Sequence, residues 1–158
     1  MKPQRQKGVA AVELALILVP MLVLCFSVVE VGRALYYYDG LVKATRGAVR
    51  YLTQKNLNDS ASYGAAVGVA KSLALCGKQT TCAATDLSVP GLVNVSQVTV
   101  TNYPNVPTGE GTASLVSVKI GDDDKNSPNA VKFKTFLPYS IGDFSFSAVT
   151  ITMAWSTT

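Results

Sequence analysis

The chain has 158 residues, 48% of them apolar and 15% charged, and its mean hydropathy of +0.26 is greasy for a soluble globule. Lys2, Arg5 and Lys7 precede the first acid, Glu13; removing those three from 14 cations leaves 11 against 10 acids, too near neutral for electrostatic binding of nucleic acid. Histidine is absent, which excludes Ser-His-Asp and Cys-His nucleophile pairs and histidine metal sites.

The length suits one compact domain plus an anchor. From Val9 to Val29 the only polar residues are Glu13 and Ser27. At 1.5 Å per residue this run is roughly 30 Å long as a helix, about one hydrocarbon core. It exceeds the roughly 7–15 apolar residues of a cleaved signal peptide and continues into Glu30-Val31-Gly32-Arg33 without a small-x-small site. Leu22-Val23-Leu24-Cys25 faintly suggests a lipoprotein signal, but bulky Leu24 stands where a small residue is needed. A carboxylate at the centre of a span costs about 2.5–3.5 kcal/mol and less near its end. An uncleaved signal anchor with a snorkelling acid accommodates Glu13. It does not account for Gly8.

Gly8 followed by Val9-Ala10-Ala11-Val12-Glu13 resembles the cleavage motif of type IV prepilins. Over a longer stretch, Val12-Glu13-Leu14-Ala15, Pro20, Glu30-Val31-Gly32-Arg33 and Ala44-Thr45-Arg46-Gly47-Ala48-Val49-Arg50 together resemble the TadE-like pseudopilins of tight-adherence (Tad, or Flp) systems. The resemblance implies cleavage after Gly8 by a prepilin peptidase, which makes Val9 the mature N-terminus. It implies that Glu13 pairs with the α-amino group of a neighbouring subunit in an assembly, a register device more than a stabilising one. It also implies other pilin and pseudopilin subunits as partners and an inner-membrane location, with a cytoplasmic N-terminus and a periplasmic C-terminal domain. The body is too long for a major Flp pilin, so a minor, headed subunit fits better. Arg33 is the one cation close to the far end of the span, flanked by Glu30 and Asp39, and charge therefore favours the same orientation.

Past the span the pattern stays helical. Leu35, Tyr38, Val42, Thr45, Val49 and Leu52 recur at three- and four-residue steps, which predicts one helix from about Val9 to Lys55, roughly 70 Å long, kinked but not ended at Pro20. Tyr36-Tyr37-Tyr38 suits an interfacial aromatic belt, with a subunit-contact patch as the sharper reading. Asn58-Asp59-Ser60 provides cap residues for a second helix, Ala61 to Leu75, carrying Val67, Val69, Leu73 and Leu75 and stopping at Gly77.

Cys76 and Cys82 are too few for zinc, which takes about four ligands, and read as a disulfide; the alternative is two unpaired buried thiols. Closing so short a loop contributes roughly 2 kcal/mol in the chain-entropy account. After Pro90-Gly91 the period becomes two: Val98/Val100, Val116/Val118/Ile120, Val131/Phe133 and Val149/Ile151/Met153/Trp155 read as one-sided strands of an antiparallel sheet. Asp122, Asp124 and Asn126 have the spacing of calcium-loop ligands. Ser127 replaces the turn glycine and Phe133 the bidentate glutamate, so a solvated turn is expected.

The expectation is an α+β protein: leader 1–8, transmembrane helix 9–29, helix continuation 30–56 and a head at 57–158 with a second helix and a small antiparallel sheet. No catalytic residues, metal, cofactor, nucleic acid or small-molecule substrate are expected. The function expected is that of a minor pseudopilin assisting assembly of a Flp pilus. The rival reading is an unprocessed, signal-anchored periplasmic binding domain.

Overall fold

The computed structural model describes residues 7–80, 82, 86–92, 94–109, 111–136 and 144–155; Lys2 and Arg5 of the expected leader lie outside them. Helix α1 runs from Lys7 to Thr53 through Pro20 without a break, 47 residues. It ends where the last turn tightens, Gln54 N donating to Tyr51 O and Lys55 N to Leu52 O, two residues before the expected Lys55.

Helix α2 spans Ser60–Cys76. Asp59 caps it: its Oδ2 accepts from Ser62 N at 3.2 Å and from Ser62 Oγ at 2.9 Å. Gly77 ends it at φ +67°, a conformation that disfavours any Cβ, with its N–H on Leu73 O at 2.9 Å. The buried face is made by Ala66, Ala70 and Ala74 at four-residue steps, closed by Leu75. Small side chains on that stripe let α2 lie close against α1. Val67, Val69 and Leu73, the larger residues that suggested the helix, are only half-buried.

Strands β1 (Val98–Thr108), β2 (Gly111–Ile120) and β5 (Val149–Trp155) form an antiparallel sheet in the order β1-β2-β5. The register pairs Val98 with Ile120, Val100 with Val118, and Val118 in turn with Ile151. Both helices cover one face of it, α1 against β2 and β5 and α2 against β1. Leu41, Thr45, Ala48, Val49 and Leu52 of α1 are fully buried there, against Val98, Val116, Val118 and Ile120. Thr45 sits in this apolar layer because its Oγ1 donates to Leu41 O at 2.7 Å, leaving no unmet polar group. Trp155 closes the layer and donates its Nε1 to Asn102 Oδ1 at 3.2 Å.

Two expectations are corrected. Leu35, at the start of the inferred core stripe, is 65% exposed, because the head meets this part of α1 on the face of Glu30, Arg33, Tyr37 and Leu41, from which Leu35 points away. The run at Val131/Phe133 is not a strand of the main sheet. Lys132–Phe133 (β3) pairs with Phe144–Ser145 (β4) in a separate two-stranded ribbon. There Phe133 leaves the sheet for an aromatic cluster, with ring centroids 5.0 Å from Phe144, 5.8 Å from Phe146 and 5.4 Å from Tyr37.

Candidate functional site

Gly8, Val9 and Glu13 lie in the first two turns of α1, all exposed. A Cβ added at Gly8 would meet nothing within 4 Å, so the protein's own packing does not require glycine there. Any such requirement comes from another molecule. Residues 8–26 are exposed on every side of the helix, and among the described residues Glu13 makes no ion pair. A helix apolar all round and bare of its own fold must be covered by lipid or by other chains. It is the one described helix long and apolar enough to cross a membrane. Cys25 lies in it as an exposed free thiol.

The character of α1 changes at Glu30, which is only 5% exposed. Its Oε2 accepts from Arg33 Nη2 at 2.7 Å and Nε at 3.2 Å, while its Oε1 accepts from the backbone N–H of Phe136 at 2.8 Å. Arg33 Nη2 also donates to Lys134 O at 2.7 Å, and its guanidinium carbon stands 4.6 Å from the Phe133 ring centroid and 5.7 Å from that of Tyr37. The Arg33 hydrogen bond holds the Glu30 carboxyl below the ordinary carboxylate range against the opposing effect of burial, helped by the Phe136 N–H. Glu30 and Arg33 therefore clamp the segment after β3 to the end of the bare half of α1.

Beside this clamp lies a cleft of about 760 Å³ between Arg33, Tyr37, Phe133 and Phe144, rimmed by Lys132 and Lys134. Gly91 shapes its wall: at φ +96° a Cβ there would stand 2.8 Å from Lys132 O, so only glycine lets the two backbones meet. Tyr37 and Tyr38 turn to the head's aromatics, Tyr38 lying 6.0 Å from Phe146 while 43% exposed, and Tyr36, 74% exposed, stands clear of them.

Cys76 and Cys82 are bridged, with Cα atoms 6.0 Å apart. The aspartate turn is bonded internally. Asp122 and Asp123 pair with Lys119, Asp123 Oδ1 accepts from Ala148 N and Ser147 Oγ, and Asp124 Oδ1 accepts from Asn126 N. The Ala148 N–H bond, followed by the Ser147 hydroxyl, keeps the Asp123 carboxyl below its usual range.

Residues 8–50 match the family model of TadE-like protein. Over this N-terminal segment the chain is similar to TadE-like proteins. No curated protein and no solved structure matches the chain. The TadE-like segment holds Gly8, Glu13, Glu30 and Arg33, and it stops three residues before α1 ends at Thr53. It thus contains the bare half of the helix, the clamp pair and most of the half that packs on the head.

Sequence reasoning singled out the ends of this arrangement and missed its middle. Glu30 and Arg33 entered that reasoning only as a motif and as charges near the end of the span; their three-residue spacing was the available signal of a local ion pair. Nothing in the sequence signalled that Phe136 N and Lys134 O, more than 100 residues away, would complete it.

Proposed function

We propose that this chain is a minor pseudopilin that assists assembly of a tight-adherence pilus. It is made with a leader, cut after Gly8 by a prepilin peptidase, and held in the inner membrane with its head in the periplasm. The observation that supports this most is the TadE-like match over residues 8–50, lying on a helix whose first half is bare and whose second half is built into a head. Such a helix can exchange lipid for the helices of other subunits without disturbing the head.

Glu13 carries the register in this reading. Inside a bundle of apolar helices an unpaired carboxylate is costly, and the new α-amino group of Val9 on a neighbouring chain is the partner that neutralises it. The role is structural rather than catalytic, with other pilin and pseudopilin subunits as partners. Intact mass measurement of the chain extracted from membranes of cells containing a prepilin peptidase tests the proposal. A mature chain starting at Val9 is expected. A chain starting at Met1 overturns it in favour of an unprocessed, signal-anchored domain.

A further inference from the structure

The Glu30–Arg33 clamp fixes where the head stands relative to the apolar span. Val29 closes the run. Arg33 and Tyr37 lie four and eight residues beyond it, about 6 and 12 Å along the helix axis. A headgroup layer is roughly 5–7 Å thick on each side of the hydrocarbon. A bilayer centred on residues 9–29 therefore puts Arg33 in the headgroup layer, with the segment after β3 at the same depth, since Phe136 N is 2.8 Å from Glu30 Oε1.

What that segment presents fits the position. Phe136 is 83% exposed, an unusual state for a phenylalanine tied by its backbone to a buried carboxylate. Lys132 and Lys134 are exposed on the rim of the cleft and make no ion pair among the described residues, while Phe133 between them points into the aromatic cluster. No acid is among the described residues lining the cleft. Glu30 is engaged by Arg33, and Asp122 and Asp123 of the neighbouring turn are engaged by Lys119.

We propose that Lys132, Lys134 and Phe136 form a foot that rests on the bilayer around the chain's own span. Phe136 enters the interface, and the two ammonium groups hold the phosphates of anionic phospholipid at the mouth of the cleft. The foot sets the height and rotation of the head while the chain is membrane-resident, and it must lift when the helix leaves lipid. The inference rests on the membrane reading of α1. It does not depend on processing after Gly8.

The test uses the full chain with Phe136→Trp, reconstituted into phosphatidylglycerol-rich or pure phosphatidylcholine vesicles carrying spin-labelled lipid. Trp155, 5% exposed in the head core, serves as the internal reference. Flotation with the vesicles is scored first. The expected result is that headgroup-level labels quench the added indole more than deep labels do, and most strongly in the anionic vesicles. Lys132→Gln with Lys134→Gln should lower the docked-to-undocked ratio there by about fivefold per lysine and leave it unchanged in phosphatidylcholine. A chain that floats but whose added indole is as protected as Trp155 refutes the foot and leaves the span intact. Equal quenching in both lipids, insensitive to the lysine pair, overturns the anionic-lipid assignment. A chain that does not float removes the span and the foot together.

Discussion

The two halves of α1 are equally helical, but Val9 to Val29 carries a single charge where Glu30 to Thr53 carries six, and the apolar residues of each live in different surroundings. Leu14, Leu16 and Ile17 are 60–72% exposed, whereas Leu41, Val49 and Leu52 are at most 1% exposed. The difference lies in what stands opposite. The second half faces Val98, Val116, Val118 and Ile120 of the sheet, and residues 8–26 of the first half are exposed all round among the described residues. One half contributes to the stability of the head, and the other is left for whatever surrounds the chain. The Glu30–Arg33 clamp marks the change between them.

The largest effects that separate the halves concern maturation and assembly. Gly8→Asp should abolish processing while leaving the head's unfolding midpoint unchanged, since position 8 touches nothing in the fold. Intact mass and denaturation of the same preparation give both readings, and normal processing of this variant defeats the proposed cleavage. Glu13→Val should lower the insertion cost, leave cleavage largely intact and weaken pilus assembly, scored by electron microscopy of the cell surface. Wild-type piliation would show that the charge has no assembly role.

Next in size is a paired comparison along the helix. Leu52→Ala opens a cavity between α1 and the sheet and should lower head stability by about 2–5 kcal/mol. Leu16→Ala removes the same atoms from the bare half and should stay within about 0.5 kcal/mol. Urea titration in detergent, followed by the fluorescence of the buried Trp155, measures both. Equal losses would mean that the halves are not energetically distinct.

A smaller effect belongs to the head alone. Replacing both cysteines, Cys76→Ser with Cys82→Ser, should cost about 2 kcal/mol by freeing the short loop of the unfolded chain. Non-reducing peptide mapping of the natural chain should recover one crosslinked loop peptide and an alkylatable Cys25. Free thiols at 76 and 82 in freshly isolated protein would contradict the bridge.

The smallest effect sharpens the boundary itself. Glu30 has its folded pKa depressed, so its contribution is fully present above its unfolded value, near 4.3, and is lost as pH falls through the lower folded value. Glu30→Gln should be less thermally stable than the natural chain at neutral pH, with the gap closing below about pH 4. A gap that persists in acid would assign the effect to packing rather than to charge.

Much of this was legible in the sequence because it depends on short-range patterns. A 21-residue apolar run, the isolated Glu13 within it, the cap at Asp59, the stop at Gly77 and the alternation of β2 and β5 all act within a turn or a strand of the chain. The apolar period along α1 was read correctly as helical, but Leu35 was put on its covered stripe, whereas at that level the head covers Glu30, Arg33 and Tyr37. Periodicity shows which residues share a face and not which face a partner covers.

The sequence by itself determined that a long helix would form, that its first half could sit in a bilayer, and that a strand-bearing head would follow. Only the tertiary structure decided that Phe133 would leave the sheet for Tyr37, Phe144 and Phe146, that alanines rather than valines would face α1 from α2, and that Glu30 would accept from Phe136 N while Arg33 donates to Lys134 O. Those choices join positions up to 106 residues apart. They depend on shape and unmet hydrogen bonds meeting in space, which no local period of the chain records.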